Sequence, residues 1–208
     1  MNVDLTERQK RIIIGTLLGD GFLIRRNKKV IFGFKQREKH KEYVEWIFNE
    51  LQNICTDAGI MHRTDYDQYY FRTSLKKHDF IDLHQKFYRF SPGMEKAIKI
   101  VPKDINKLLK DPISIAVWYM DDGSLDFRPK YHYSYSLATH NFLLEEVEKL
   151  RDVLKENFGV KVNVYNNLIR GKRYPRIYIG VAGRERFKEI VENYVSRFNC
   201  FSHKLPPK

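Results

Sequence analysis

Two apolar runs, about a hundred residues apart, each end in a carboxylate followed by a glycine. The first spans residues 12–21, IIIGTLLGDG, and the second spans residues 113–123, ISIAVWYMDDG. Each run predicts a buried helix, and a glycine in a left-handed conformation is a common C-terminal cap. An acidic residue is disfavoured in the last turn, where the helix dipole is negative. Because the chain breaks this rule twice at equivalent places, we expect a functional site at the two helix ends.

The remaining pattern predicts the same order of elements in both halves of the chain. Helical segments are identified by apolar residues every three to four positions, and strands by β-branched and aromatic residues or by alternation. The first half is predicted to contain a helix over 6–20, strands over 22–35 and 62–75, and helices over 38–54 and 76–90. The second half is predicted to contain a helix over 112–122, strands around 125–138, a helix over 142–158, strands over 160–168 and 174–182, and a helix over 184–198.

Several landmarks recur at nearly one offset, which indicates an internal duplication. The pairs are Asp20 with Asp122, Val44 with Val147, and Lys99 with Lys204, which are 102, 103 and 105 residues apart. The alternative is a chance similarity between two α/β units. A duplication predicts two halves, residues 1–105 and 106–208, related by a pseudo-twofold axis.

Composition narrows the class of protein. The 208 residues include 38 Lys and Arg against 26 Asp and Glu, a formal net charge of +12. Such an excess suits a polyanionic partner, nucleic acid first and an anionic membrane second. No run approaches the roughly 18 apolar residues of a membrane span, and the polar start lacks a signal-peptide core. With two cysteines, too few for a disulfide scaffold, we expect an intracellular, reducing compartment.

The paired carboxylates suggest metal-assisted chemistry. Carboxylates at two adjacent helix ends can share divalent cations such as Mg²⁺, a hard ion that prefers oxygen ligands. Hydrolysis of phosphodiester bonds is a natural use of such an ion. Gly15 and Gly19 would let another backbone approach the first helix closely, whereas the second helix offers only Ser114 and Ala116.

Basic residues supply two further candidate sets. Lys99 and Lys204 could hold a water or stabilise developing negative charge near a phosphate, although a surface lysine before a turn proline is the plainer interpretation. Basic strand residues could contact phosphates or read base edges in the major groove, the alternative being a solvated sheet face. These residues are Arg25, Arg26, Lys28, Lys29, Lys35, Arg72, Arg128, Lys130, His132, Arg170, Lys172, Arg173 and Arg176.

The two runs resemble the LAGLIDADG motif of homing endonucleases, in the single-chain form that carries two motifs. The nine motif positions fall on residues 13–21 and 115–123, and the second copy resembles the intron-encoded monomeric branch. The resemblance covers nearly the whole chain. It implies an α/β protein of α+β type, with two αββαββα halves whose antiparallel sheets form a saddle over DNA. It also implies that the motif helices pack at the pseudo-twofold axis.

The resemblance also implies roles for particular residues. Asp20 and Asp122 would bind Mg²⁺, or another divalent cation such as Mn²⁺, with the carbonyl groups of Gly19 and Asp121 as further ligands. Lys99 and Lys204 match the active-site lysines of the family. The implied reaction is cleavage of both strands of a long, near-asymmetric DNA site by a monomer, leaving short 3′ overhangs.

The chain departs from the family at one point. A polar residue on the strand after the motif often helps to order the catalytic water, and our alignment places Gly33 and Ala138 there. Gln36 is the residue that could substitute in the first half.

Two other functions fit the same scaffold. One is an RNA-binding maturase that helps a group I intron to splice, and the other is a DNA-binding regulator that does not cleave. Two intact aspartates and two lysines favour a nuclease, since a protein that only binds would not need them.

Overall fold

Each half of the chain folds into the predicted order of helices and strands. The computed structural model describes residues 3–90, 97–129, 132–169 and 171–207. The first half contains α1 (Glu7–Leu18), β1 (Phe22–Arg26), β2 (Lys29–Arg37), α2 (Lys41–Leu51), β3 (Met61–Arg63), β4 (Gln68–Arg72) and α3 (Ile81–Phe87). Two short strands, β5 (Tyr88–Arg89) and β6 (Ile98–Lys99), and the short helix α4 (Ile105–Leu108) follow.

The second half repeats this order. It contains α5 (Pro112–Asp122), β7 (Gly123–Arg128), β8 (His132–Ala138), α6 (Leu144–Phe158), β9 (Asn163–Ile169), β10 (Lys172–Ile179) and α7 (Arg184–Val195). A 3₁₀ helix over Asn199–Lys204 comes after α7. The expected αββαββα order is therefore present twice.

The two sheets have the same topology. Their strand orders are β1-β2-β4-β3 and β7-β8-β10-β9, and every pair of neighbours is antiparallel. This confirms the α+β class with antiparallel sheets. Because strand side chains alternate, each sheet turns one face to the helices and leaves the other exposed. The division between residues 105 and 106 stays a prediction.

The core lies between the sheets and the helices that cover them. On α2 the predicted apolar face is confirmed, since Tyr43, Ile47 and Leu51 are fully buried. On α6 the corresponding face is buried from Val147 onward. Leu143, which was expected on that face, precedes the helix and is 46% exposed.

The helix expected over 76–90 is much shorter than its pattern indicates. It spans only Ile81–Phe87, because tertiary contacts claim both flanks. Asp79 accepts a hydrogen bond from the backbone N–H of Val30 in the neighbouring strand, at 3.0 Å. Tyr88 instead pairs with Lys99 between β5 and β6, which brings Lys99 back toward the end of α1.

The two motif helices, α1 and α5, pack directly against each other. A Cβ atom on Gly15 would lie 2.5 Å from the carbonyl oxygen of Ser114, so only glycine allows this approach. The hydroxyl of Ser114 also donates to the carbonyl of Arg11 at 2.8 Å. The second helix therefore contributes its backbone to the contact through Ser114.

The structure corrects the expected role of the glycines that end these helices. Neither Gly21 nor Gly123, the glycines expected as left-handed caps, has a positive φ. The helix α1 ends before Gly19, whose φ is −109°, and the φ of Gly123 is −84°. The glycine requirement comes from close packing, because a Cβ on Gly19 would lie 2.4 Å from the Cβ of Asp121. No helix among the described residues is long and apolar enough to cross a membrane.

The helix contact yields a prediction about stability. We expect Gly15→Ala to lower the free energy of unfolding by about 1–3 kcal/mol, because the added methyl group would overpack the interface. Glycine-to-alanine changes inside helices ordinarily stabilise, so the sign of the effect is itself diagnostic. Urea unfolding followed by circular dichroism would measure it. Lys10→Ala on the exposed side of α1 is the matched control, and a Gly15→Ala protein as stable as the control would contradict the packing argument.

Candidate functional site

The C-terminal ends of α1 and α5 lie side by side. The backbone N–H of Asp20 donates to the carboxylate of Asp121 across the helix pair, at 3.1 Å. Asp122 follows on the same helix, close enough that the charge of Asp20 raises its pKa. The two halves thus bring their acidic helix ends to one place, as the duplicated pattern predicts.

Asp20 is supported by a side chain from its own sheet. The amide nitrogen of Gln36 on β2 donates to its carboxylate at 2.6 Å, and the amide oxygen of Gln36 faces the Nδ1 atom of His40 at 3.2 Å. Burial raises the pKa of Asp20, whereas the hydrogen bond from Gln36 and the nearby lysines lower it. Burial lowers the pKa of His40 to about 4. The imidazole is therefore neutral at pH 7, and its Nδ1–H donates to Gln36.

The polar contact to Asp20 comes from Gln36 and not from the position of Gly33. A Cβ on Gly33 would lie 2.5 Å from the ring of Phe22, so the ring occupies that space. Gln36 lies three residues further along β2 and reaches Asp20 from the core side of the sheet. Gln36 therefore contacts Asp20, and its expected part in ordering a catalytic water stays a prediction.

Asp122 lacks equivalent support. Strand pairing makes Thr139 the counterpart of Gln36, whereas Ala138 lies on the other side of the sheet. The hydroxyl of Thr139 donates to the carbonyl of Pro175 at 2.8 Å. No described side chain hydrogen-bonds to the Asp122 carboxylate. Burial and then the charge of Asp20 raise the pKa of Asp122 to about 7, and Lys99 and Lys204 oppose the shift. The two carboxylates are thus chemically unequal.

The lysines occupy equivalent places in the two halves. The Nζ of Lys99 donates to the carbonyl oxygens of Gly19 and Gly21, at 2.8 and 2.7 Å. The Nζ of Lys204 donates to those of Tyr119 and Met120, at 3.1 and 2.6 Å. Each ammonium group thus lies at the negative end of the motif helix of its own half.

Burial changes the acidity of both ammonium groups. It lowers the pKa of Lys99, and it lowers that of Lys204 to about 8, while the neighbouring aspartates oppose the shift in each case. Lys204 is 6% exposed and belongs to the core as much as to the site. A surface-lysine interpretation is therefore wrong for Lys204.

Sequence reasoning missed the role of two side chains at the helix ends. Asp121 was expected to contribute only its carbonyl group, yet its carboxylate also accepts a hydrogen bond from the hydroxyl of Tyr43 at 3.0 Å. Burial, followed by the charges of Asp20 and Asp122, raises the pKa of Asp121 well above its usual range. In the sequence, Tyr43 was recognisable only as a core position on α2.

The oxygen atoms at the helix ends fit a hard divalent cation. They are the carboxylates of Asp20 and Asp122 and the backbone carbonyl groups of Gly19 and Asp121. The mutual repulsion that raises the pKa of Asp122 would be relieved by a cation between the two carboxylates. In the described part of the chain, no group of three or more His, Cys, Asp and Glu side chains is placed to hold a metal ion, so any cation at the helix ends would rely on two carboxylates and on backbone carbonyl groups.

Most of the predicted basic residues share the exposed sheet faces. Strand pairing places these residues opposite the faces that bury Phe32, Phe71 and Ile177. They are Arg26, Lys29, Lys35 and Arg72 in the first sheet, and Arg128, His132 and Arg176 in the second. Lys28 lies in the turn between β1 and β2. Arg37 and Arg63 share the first face and were missed, although alternation from Lys35 would have found Arg37.

The pairing pattern corrects two of the expected residues. Arg25 pairs with the buried Val30, so it lies on the helix side of the sheet, where burial and then the charge of Arg25 lower the pKa of His84 on α3. Arg173 alternates with Tyr174 and shares the side of the buried Ile177. Lys130, Arg170 and the side chain of Lys172 lie outside the described residues.

Arg176 is held within the sheet. It donates to the hydroxyl groups of Ser124 and Ser136, at 2.9 and 2.5 Å. Arg72 lies over the ring of Tyr70, 5.6 Å from its centroid. Both guanidinium groups are therefore oriented by neighbours on the exposed faces.

Comparison with known proteins identifies the family. The sequence profile of the LAGLIDADG DNA endonuclease family matches residues 10–187. The homing endonuclease I-WcaI, solved bound to its DNA recognition sequence, superposes with a TM-score of 0.74 at 26% identity, over 99% of this chain and 89% of that one. DNA endonuclease I-ChuI of Chlamydomonas applanata is 26% identical, over 98% of this chain and 96% of its own length.

A further relative is named for a different activity. The cytochrome b mRNA maturase bI2 of Debaryomyces hansenii is 26% identical, over 79% of this chain and 62% of its own length.

These matches and the duplicated fold place the protein in one class. The chain belongs to the LAGLIDADG DNA endonuclease family, in the form with two motifs in one chain. The resemblance inferred from residues 13–21 and 115–123 is therefore confirmed, as is the class of site-specific DNA endonuclease at the level of the family.

The Gln36 contact generates a prediction about acidity. In metal-free protein we expect Gln36→Ala to raise the pKa of the Asp20 carboxyl group further, because a donor to the charged form is lost. A carbon-detected NMR titration of the Asp20 carboxyl would measure the shift. Gln68→Ala, a matched change in the same sheet, should leave that pKa unaltered. An unchanged or lower pKa in Gln36→Ala would show that the hydrogen bond is not formed in solution.

Proposed function

We propose that this chain is a monomeric, Mg²⁺-dependent homing endonuclease. It would hydrolyse one phosphodiester bond in each strand of a long, near-asymmetric DNA site and leave short 3′ overhangs. The observation that carries the proposal is the meeting of Asp20 and Asp122 at adjacent helix ends, with the half-buried Lys99 at one end and the buried Lys204 at the other. The two halves, residues 1–105 and 106–208, would each face one part of the site. A DNA substrate also suits the expected intracellular, reducing location.

Asp20 and Asp122 would hold the divalent cation, with the carbonyl groups of Gly19 and Asp121 as further ligands. When bound, Mg²⁺ or Mn²⁺ supplies an activated water and neutralises charge on the attacking and leaving oxygens. The protein contributes the exposed Asp20 and the half-buried Asp122, whose mutual repulsion a counter-charge would relieve. Gln36 fixes the orientation of the carboxylate of Asp20 before any substrate arrives.

Lys99 and Lys204 would act on the phosphate. Each ammonium group has three N–H donors, and two of them are used by backbone carbonyl groups. The third remains for a phosphate oxygen near the helix ends. A fixed positive charge at that point would stabilise the negative charge that develops in the transition state.

The carboxylate assignment predicts a separation of cleavage from binding. We expect Asp20→Asn and Asp122→Asn each to abolish double-strand cleavage while largely sparing DNA affinity, because the neutral amide is a poor cation ligand. Removing a carboxylate near phosphates would also relieve repulsion. The measurement is cleavage with Mg²⁺ of DNA that spans the insertion site of the gene, alongside binding without the metal. Asp152→Asn on the outer face of α6 is the control.

Two single mutants that cut at normal rates would refute the metal assignment. Loss of both cleavage and binding would point to a folding defect instead, which thermal unfolding of the variants would reveal.

The exposed sheet faces would bind the DNA. Their basic side chains would meet phosphates, and some would read bases in the major groove. Arg72 is a candidate for base reading, since strand pairing places it on the exposed face of β4.

The sheet geometry supplies a matched pair for this test. We expect Arg72→Ala to weaken DNA binding by about 1–3 kcal/mol and to relax specificity at one base pair. Arg25→Ala removes the same side chain from the helix side of the same sheet, so it should change affinity little. Binding to a library of single-base variants of the site would measure both. Equal effects of the two substitutions would contradict the assignment of the exposed face.

The similarity to a maturase supports a second candidate function. The same basic faces could bind intron RNA and assist splicing of a group I intron. A splicing assay with the host intron, run beside the cleavage assay, distinguishes the two. Faster splicing without cleavage of the insertion site would favour the maturase function over the endonuclease function.

A further inference from the structure

We propose that the side chain of Asp121 is a positioning residue, which holds the backbone of Asp20 from the opposite motif helix. This inference rests on the proposed function, because it assigns the contact a purpose in presenting the Asp20 carboxylate to a cation. It concerns the carboxylate of Asp121 and is separate from the ligand role proposed for its carbonyl group.

Both oxygens of this carboxylate are engaged by the protein itself. One accepts the backbone N–H of Asp20 at 3.1 Å, and the other accepts the hydroxyl of Tyr43 at 3.0 Å. This carboxylate therefore bonds to groups of the protein itself. It links α5 of the second half to two parts of the first half, the end of α1 and the first turn of α2.

The packing around Tyr43 fixes the position of the hydroxyl that bonds to Asp121. Its side chain is fully buried, and its ring packs edge-on against Phe34, Phe198 and Phe201, with centroids 5.6, 5.5 and 5.1 Å away. The hydroxyl position is therefore set by rings from both halves of the chain. Because Tyr43 cannot move freely, the carboxylate of Asp121 is held in place for Asp20.

The opposing residue, Gly19, leaves room for the side chain of Asp121. Gly19 and Asp121 occupy the same position in the two motifs, the seventh of nine. A Cβ on Gly19 would lie 2.7 Å from the Oδ2 of Asp121, so the glycine leaves the space that the carboxylate fills. The reverse contact cannot exist, because Gly19 has no side chain with which to hold Asp122.

The link therefore supports one of the two acidic groups. Asp20 receives Gln36 at its carboxylate and Asp121 at its backbone, whereas Asp122 receives neither among the described residues. We expect the two DNA strands to depend differently on Asp121, with one strand affected more when the link is lost.

A pair of substitutions separates positioning from charge or metal binding. Asp121→Asn keeps an oxygen for the Asp20 N–H, and its amide group can donate to Tyr43, whose hydroxyl also accepts. Asp121→Ala removes both bonds. Asp152→Ala, an aspartate exchanged on the outer face of α6, serves as the control.

The first readout needs neither metal nor DNA. Hydrogen exchange of the Asp20 amide, followed by NMR in metal-free protein, should be about tenfold faster in Asp121→Ala, the expected effect of losing one hydrogen bond. Asp121→Asn and the control should match the wild type. Tyr43→Phe should shift the exchange in the same direction as Asp121→Ala, and it tests the link even if the alanine variant fails to fold.

The second readout is strand-resolved cleavage over a range of Mg²⁺ concentrations. In Asp121→Ala we expect the Mg²⁺ concentration for half-maximal cleavage to rise about tenfold on one strand, with DNA affinity changed less than about twofold. Asp121→Asn should retain wild-type behaviour.

Three results would overturn the proposal. The first is an Asp121→Asn protein as impaired as Asp121→Ala, which would assign the carboxylate to charge or metal ligation. The second is an Asp121→Ala protein with wild-type exchange and Mg²⁺ dependence. The third is unchanged Asp20 exchange in Tyr43→Phe. Failure of the wild type to cut DNA would refute the proposed function alone, because the exchange measurement does not depend on cleavage.

Discussion

The close approach of α1 and α5 is the constraint on which the site depends. Gly15 lets the backbone of Ser114 come closer than any side chain at position 15 would allow, and Gly19 does the same for Asp121. At that separation the backbone N–H of Asp20 reaches the opposite helix and the two acidic ends share one environment. Because protein interiors pack densely, a methyl group added at either glycine would displace the carboxylates.

This approach concentrates opposite charges in a partly buried space. Burial alone would disfavour every ionised group there, and it raises the pKa of Asp20 and Asp122 while lowering those of Lys99 and Lys204. The attraction between the two signs offsets part of that cost. Additional positive charge near the carboxylates would stabilise their ionised forms, and a divalent cation would provide it. Groups with perturbed pKa values cluster at functional sites.

The duplication supplies two similar halves, and small departures from symmetry make their chemistry different. Gln36 has Thr139 as its counterpart, which donates to Pro175 instead of Asp122, and Gly19 has Asp121. Both departures favour Asp20, which is oriented at its carboxylate and at its backbone. A single chain can keep such differences, because its two halves vary independently, whereas a symmetric dimer would have to repeat each change twice.

Local pattern alone determined much of this protein. The motif helix at 112–122, the buried face of α2, the alternating strands and the pairing of Asp20 with Asp122 were all readable, because periodicity and repeat offset are properties of the sequence. The family followed from the same residues. Where neighbours decide, sequence reasoning failed: the helix expected over 76–90 was shortened by Val30 and by strand pairing at Lys99. Only the tertiary structure turned Arg25 away from the exposed face, placed Gln36 at Asp20 and gave the side chain of Asp121 its partners. Those outcomes depend on contacts between residues far apart in the chain, 78 positions for Tyr43 and Asp121, and no local pattern encodes such contacts.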